Sequence, residues 1–485
     1  MRSQPPNQRG VRRALWWDDV RAAEPDLDIA PPEPLTGEHQ ADVCIIGGGY
    51  TGLWTALRIK DLQPELDLLL IDANLCGSGA SGRNGGFVLS WWPKLATLVK
   101  LCGEAEALRL AFAAAEAVDA IGAFCQHHAI DAHYRKSGWL WTATTPFHDG
   151  AWDQAINVCE QYGVDAFVRL PPAEITARTG SATHIAGVYE PGAATVQPAL
   201  LARGLRRVAL AQGVRIHERT PMVKLERSAR PVVRTPHATI VAGRVLLAMN
   251  AWAAAFPELR RAIVPISSDM IATAPIPDRL ERIGWTGGEA ITDARMMVHY
   301  YRTTRDGRIA LGQGGGALGY LGRIGATFDG PGRAKHVSES FRRLYPALAD
   351  APITHQWSGA VDRSELGTLV CGHLGGHPAI SYAAGFSGNG VGPSRVAAAI
   401  LASLALDLDD EWANTPLAKG PVSKFPPEPV RFFGGLLVRA AISRKERTEE
   451  KGRAATPLVR RVAGFAPSGL RKGGAPSIVK PPKQR

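Results

Sequence analysis

A glycine turn and an aspartate one strand later limit this chain's fold more than any other feature. DVCII, the short apolar run from Asp42 to Ile46, leads into GGGYTG, LWTALRIKDL follows with helical spacing, and LDLLLI returns as an apolar strand ending at Asp72. Strand, tight turn, helix and second strand make one parallel βαβ unit. Gly47, Gly49 and Gly52 satisfy G-x-G-x-x-G at the turn, with Tyr50 and Thr51 between them. Glycines there let the backbone turn sharply and approach a pyrophosphate, whose charge is met by N–H groups at the helix N-terminus. Asp72, twenty residues beyond Gly52 and followed by Ala73, supplies the carboxylate that accepts hydrogen bonds from ribose hydroxyls. Dinucleotide binding is the expectation; the competing explanation is a glycine turn kept for packing.

The next segment decides between nicotinamide and flavin. A nicotinamide enzyme usually continues with further βα units, whereas this chain enters GSGASGRNGGF (77–87). Such a loop of small residues can lie along an extended ligand. Ser81, Gly82, Arg83, Asn84, Gly85 and Gly86 are therefore expected at a flavin dinucleotide, with Ser81, Asn84 and the loop amides hydrogen-bonding it. A third element lies far along the chain: AISYAAGFSGNGVGPSRVAAAIL reads as strand, glycine loop and helix. Gly385, Gly388, Asn389, Gly390 and Val391 offer backbone N–H groups at a helix N-terminus, whose positive end would favour an anionic reduced ring. GFSGN fails the nucleophile-elbow pattern at Asn389, which disfavours a serine hydrolase.

With 485 residues, two domains and an appendage are the starting expectation. The first forty residues read as an exposed arm without an export signal. VAAAILASLAL, from Val396, is too short to span a bilayer. Six scattered cysteines without a CxxC pair suit a reducing cytoplasm, and CGHLGGH (371–377) lacks a fourth ligand, so no metal is expected. From Lys451 to Arg485 there are nine Lys or Arg and no acid, so 11 − 9 = +2 remains for the rest of the chain. That tail reads better as a solvated disordered end than as a nucleic-acid or membrane contact.

DVCIIGGGYTGL, GSGASGRNGGF, GAATVQP, LLAMNAW, YYRTTRDGRIALGQG, WSGAVD and GFSGNGV stand in an order that resembles the D-amino-acid oxidase (DAO) superfamily and, within it, amine oxidases similar to gamma-glutamylputrescine oxidase. The resemblance implies an α/β fold in which a Rossmann-type FAD-binding domain is interleaved with a mixed antiparallel-sheet substrate domain. The segments 40–98, 190–265 and 352–408 would form the first, and 99–189 and 266–351 the second. A helical extension over 409–450 and the tail 451–485 would follow. It also implies an enzyme oxidising a carbon–nitrogen bond by hydride transfer to FAD, giving an imine that hydrolyses, with O2 or another electron acceptor. Val223 would meet the adenine through its backbone, and Asn250 would border the cofactor.

Departures from the family shape these expectations. VDRSE stands where some members carry a flavin-linked cysteine, so FAD is expected noncovalently. GAVDR stands where amino-acid oxidases of the glycine or sarcosine type place a carboxylate-binding arginine. Because a guanidinium fork needs accurate placement, a small amine is preferred as substrate; the alternative is an amino acid whose anchor has moved to Arg363 or Arg302. Ala310 occupies the position where some oxidases hold a lysine over the flavin, which leaves oxidase against dehydrogenase open. In HYYR (299–302), Tyr300 and Tyr301 point to opposite faces of a strand, so one of them is expected at the substrate, with packing as the competing role for each. His299 and Trp357 are further candidates. The apolar-then-charged helix from Pro427 is expected to pack on the flavin domain, against the rival uses of subunit contact and membrane-surface helix.

Overall fold

The βαβ unit stands at the centre of a sheet. In the computed structural model, which describes residues 14–470 other than 30, 326, 327, 329 and 331, Gly37–Ile46 pairs in parallel with Leu68–Ile71 on one side and Ala238–Leu247 on the other. Arg215–His217 and Ile380–Ala384 extend the parallel order outward, Val370–His373 closes one edge antiparallel, and a hairpin of Lys224–Glu226 and Val232–Arg234 hangs on Ala238–Leu247. The strand alternation explains why the apolar runs are continuous. Val43, Ile45, Leu68 and Leu70 face the helices Tyr50–Leu62, Pro198–Ala211 and Ser394–Ala405. Cys44, Ile46, Leu69 and Ile71 face the opposite way, onto Ala253, Ala254 and Leu259. A parallel sheet covered on both faces needs apolar residues at every position.

The second sheet runs Ile353–Ser364, Ile263–Thr273, Ile309–Gln313, His299–Thr303, Ala290–Asp293, Trp139–Ala143, Ala186–Glu190, Val168–Leu170. Its neighbours are antiparallel except for Ala290–Asp293 beside Trp139–Ala143. Ile353–Ser364, expected among the flavin-binding segments, is the edge of this second sheet. It pairs along Ile263–Thr273, from Ile263 opposite Ser364 to Thr273 opposite Ile353.

The ends of the chain differ from expectation. Trp16–Ala23 is a helix with Trp16, Trp17 and Val20 buried against Ala199, Met270, Ala310 and Trp357, so this part of the supposed exposed arm bridges both sheets. Each buried tryptophan removes on the order of 200 Å² from water, about 5 kcal/mol before the entropy cost of ordering. Charge and proline around the pair concealed that face. Val430–Glu449 and Pro457–Ala463 are helices as well, and they pack chiefly beside the second sheet instead of on the flavin domain. The Met297 N–H donates to Glu446, the Gly315 carbonyl accepts from Arg439, and Met297, Ile442, Ala463 and Ala466 form one cluster. The basic tail is thus ordered through Leu470; residues 1–13 and 471–485 lie outside those described. No helix among the described residues is long and apolar enough to cross a membrane.

Candidate active site

A cavity of about 1510 Å³ opens between the two sheets, and all three glycine segments contribute to its lining. At its inner end the first turn is held by its own aspartate. Asp72 Oδ2 accepts the Gly48 N–H at 2.7 Å and Oδ1 accepts the Asn74 N–H at 2.8 Å. Burial raises the Asp72 carboxyl to about 6, against the pull of these two amides. Gly47 sits at φ +114°, and a Cβ there would meet the Ala248 carbonyl oxygen at 2.5 Å; at Gly52 it would meet the Gly47 carbonyl oxygen at 1.9 Å. The turn therefore tolerates no side chain at either position. The helix beginning at Tyr50 has Gly49 as its N-cap, with no side-chain cap. Gly49, Tyr50, Thr51, Asp72 and Ala73 all line the cavity, so a helix N-terminus, whose Tyr50 N–H is taken by Ser81, and a strand-end carboxylate face one space. That donor and acceptor set suits a diphosphate followed by a ribose.

The loop 77–87 answers more to its own neighbours than to a ligand. A Cβ at Gly77 would meet Ala202 at 2.6 Å, at Gly82 the Gly77 carbonyl oxygen at 2.4 Å, at Gly85 the Tyr300 ring at 2.9 Å, and at Gly86 the Val196 carbonyl oxygen at 2.1 Å. Only Gly79, Ala80, Ser81, Arg83, Asn84, Gly85 and Phe87 of this loop line the cavity; Gly82 and Gly86 do not. The Asn84 amide, expected on the cofactor, is spent locally: Nδ2 donates to the Ala80 and Ser81 carbonyls, and Oδ1 accepts the Gly86 N–H at 2.7 Å. Ser81 Oγ accepts the Tyr50 N–H at 2.9 Å and so ties the loop to the first helix. Arg83 is buried, with Nε donating to the Ser78 carbonyl at 2.8 Å and Nη1 to Ser358 at 3.3 Å.

Val223 differs from its expected place. It is 57% exposed, its N–H donates to the Arg234 carbonyl within the hairpin, and Thr220, Pro221 and Met222 line the cavity in its stead. Asn250 does line it, at φ +47° with Oδ1 accepting the Ala251 N–H. In the third element Gly388, Asn389, Gly390 and Val391 line the cavity, while the Gly385 amide is taken by Asp362 Oδ2 at 2.6 Å. The helix starts only at Ser394, three residues beyond Val391. Asn389 Nδ2 donates to the Ser90 carbonyl at 3.0 Å and joins this loop to the segment after the second element.

Of the HYYR residues, the structure brings Tyr300 alone to the cavity. Its hydroxyl meets Ser268 Oγ at 2.8 Å and its ring stands edge-on to Phe87. Tyr301 projects to the far face, fully buried among Trp285 and Tyr345 with its hydroxyl on His184 Nε2. His299 is fully buried with Nδ1 on Asp293 at 2.6 Å. Trp357 is fully buried too, its indole N–H donating to the Arg83 carbonyl at 2.9 Å. Neither residue lines the cavity. Arg302, offered as a displaced carboxylate anchor, does not line the cavity: it is buried, donates to the Val196 carbonyl and lies over the Trp16 ring. Arg363 lines the cavity, with Nη2 donating to the Ser387 carbonyl at 3.1 Å, and burial lowers its pKa to about 10.

Several lining residues had no signal that sequence reasoning used. Ser268 and Trp141 sit on strands whose inward face is fixed only by pairing, and Val430–Glu449 contributes Phe432, Leu437, Val438, Arg439 and Ile442 to the outer wall. An apolar face on a helix beyond the last expected strand was a visible hint of that wall, but the helix's partner was not.

Residues 42–404 match the DAO family, described as FAD dependent oxidoreductase. A probable oxidoreductase, OrdL, of Rhizobium meliloti (strain 1021) is 30% identical over 431 residues, covering 88% of this chain and 94% of that protein. Gamma-glutamylputrescine oxidoreductase of Escherichia coli (strain K12) is 27% identical over 393 residues, covering 80% and 89%. Among solved structures, glycine oxidase from Geobacillus kaustophilus superimposes with a TM-score of 0.64 at 20% identity, covering 78% of this chain and 98% of that one.

Proposed function

The chain belongs to the DAO family of FAD-dependent oxidoreductases, and from that premise we propose that it oxidises the carbon–nitrogen bond of a small amine. Bound FAD supplies the acceptor for the hydride removed from the carbon beside nitrogen. The observation that carries the proposal is the single cavity reaching from Asp72 and Gly49, past the 79–85 loop, to Tyr300 and an apolar outer wall. The first turn would hold the diphosphate and Asp72 the ribose, and Thr220 to Met222 would border the adenine. Among the described residues neither cysteine nor histidine lines the cavity, which supports noncovalent attachment.

Tyr300, braced by Ser268, orients the substrate, while Trp139, Trp141, Met296, Val298 and Leu318 exclude water from it. Such a lining disfavours an ammonium and so favours the neutral amine, the form able to release hydride. The resulting imine hydrolyses in water. Six cysteines without a disulfide accord with a cytoplasmic place of work.

A second possibility, an amino acid as substrate, has one observation in its favour: Arg363 faces the cavity with no carboxylate within ion-pair distance among the described residues. Anaerobic mixing of the purified holoenzyme with alkylamines, polyamines, N-methyl amino acids and free amino acids tests both. Bleaching by amines is the expected result. Bleaching by α-amino acids alone would favour the second possibility, and no bleaching by any nitrogen compound would end both. Colour returning quickly in air would identify an oxidase using O2.

A further inference from the structure

The outer wall of the cavity comes from a part of the chain beyond the family match, which stops at residue 404. Val430–Glu449 is fixed there by named contacts: Glu446 accepts the Met297 N–H at 3.1 Å, Glu450 pairs with Arg295 and Arg343, and Glu449 lies 3.5 Å from His148. Three charged residues between 428 and 442 line the cavity, namely Glu428, Arg431 and Arg439. Glu428 and Arg431 neutralise each other at 2.7 Å. Arg439 has no carboxylate within ion-pair distance among the described residues; its Nε donates to the Gly315 carbonyl at 2.8 Å, which fixes the side chain and leaves the two Nη groups. Its nearest charged neighbours compensate one another, because Asp269 is held by Arg333 at 3.1 Å. A half-buried guanidinium, pinned at one nitrogen and lacking an anion, is built to receive one.

We propose that Arg439 binds a carboxylate of the substrate remote from the bond that is oxidised, so that the preferred substrate is an amine carrying a carboxylate at its far end. This rests on the amine-oxidising function proposed above. The spacing follows from the strand exit. The Tyr300 hydroxyl meets Ser268 Oγ, which donates to the Gln313 carbonyl at 3.2 Å, and Arg439 is tied to Gly315, two residues on. The chain turns between these points, with Gly315 at φ +73°, so both contacts stand at one strand exit, and a short ω-amino acid such as 5-aminopentanoate probes the interval.

The test uses the full-length holoenzyme as wild type, Arg439→Gln, Arg439→Lys and Arg363→Gln, with retained flavin and Tm confirming folding. Anaerobic flavin reduction is measured with 5-aminopentanoate and with pentylamine, and binding of pentanoate, which cannot be oxidised, is followed by perturbation of the flavin spectrum. The expected result is a KM for 5-aminopentanoate raised about ten- to a hundredfold in Arg439→Gln with kcat little changed, and a matching loss of pentanoate binding. Arg439→Lys should recover part of both, and pentylamine should be indifferent to either change. Equal effects on pentylamine and 5-aminopentanoate, or losses confined to Arg363→Gln, would overturn the assignment. Pentanoate binding that depends on Arg439 without reduction by either amine would keep the anion subsite and remove the amine chemistry, so the two failures are distinguishable.

Discussion

Asp362 Oδ2 accepts the Gly385 N–H at 2.6 Å, the shortest of several bonds that join the edge strand of the second sheet to the glycine loop of the first. Both oxygens are buried, and burial raises the carboxyl from the ordinary 3.8 to about 6. A raised acid favours the protonated form in the folded chain. Stability on this account falls as pH rises from 3.8 to 6 and is lower by about 3 kcal/mol above that window. Asp362→Asn keeps an acceptor for Gly385 and carries no charge, so it should be more stable than wild type at pH 8, with the gap closing toward pH 4. Asp362→Ala, which orphans the Gly385 amide, should cost about 1–3 kcal/mol near pH 4, with the gap narrowing as pH rises, and weaken FAD retention. Thermal melts of the three proteins at pH 4.5 and 8, read beside flavin content, check this; an Asn variant less stable at pH 8 would refute the account.

Tyr300 and Tyr301 are neighbours with separate fates, and their phenylalanine variants should separate as cleanly. Tyr300→Phe loses the hydroxyl on Ser268 at the cavity wall; a fall of about tenfold in kcat/KM with little change in Tm is expected. Tyr301→Phe strands the buried His184 ring, so a loss of about 1–3 kcal/mol in stability with near-normal kinetics is expected.

His184 itself titrates in the acid direction, since burial lowers its pKa from the ordinary 6.5 to about 4. The fold holds the neutral ring, and stability from this site is complete above 6.5 and lost as pH falls toward 4, by about 3 kcal/mol. Urea unfolding of wild type and His184→Phe across that range should show the acid sensitivity reduced in the variant; parallel curves would rule the site out as its source.

The glycines divide by what surrounds them. Gly47→Ala adds a Cβ at 2.5 Å from a backbone oxygen at φ +114°, and Gly86→Ala one at 2.1 Å at φ +74°, so both should give protein that neither folds well nor holds FAD. Gly388 also has a positive φ, +94°, but nothing lies within 4 Å of its Cβ position. Gly388→Ala should therefore cost only the strain of that backbone, about 1–2 kcal/mol, and keep its flavin. Flavin content per chain after purification decides; a colourless Gly388→Ala beside a yellow Gly47→Ala would reverse this ranking.

The same division explains what was legible in the sequence. Strand, turn, helix and Asp72 were readable because glycine spacing and apolar periodicity act within twenty residues. The small residues of the loop 77–87 read as room for an extended ligand, yet what presses on them is mostly Ala202, Val196, Tyr300 and the loop's own backbone, partners far apart in the chain. A period of two told that Tyr300 and Tyr301 diverge, and only the register opposite Gly312 and Leu311 shows which faces the cavity. Asp362, Ser268 and Arg439 owe their roles to pairings across sheets or from the last helices. No local pattern encodes such pairings.

Those last helices give the final prediction. Val462, Phe465, Pro467, Ser468, Gly469 and Leu470 line the cavity, and Glu365 binds Ser468 through the N–H at 3.1 Å and accepts from its hydroxyl at 3.2 Å. A chain ending at Leu470 loses five of the tail's basic residues, Arg471, Lys472, Lys480, Lys483 and Arg485, and none of this wall. It should retain FAD and reduce it with amines as wild type does. A chain ending at Lys451 keeps both sheets but opens the outer wall to water, so KM should rise and the neutral amine should be favoured less. Its rate of anaerobic flavin reduction should then climb with pH over a range shifted toward the pKa of the free amine, which a pH series on the two truncations measures directly. Identical kinetics from both would show that the wall beyond Lys451 does not shape the site.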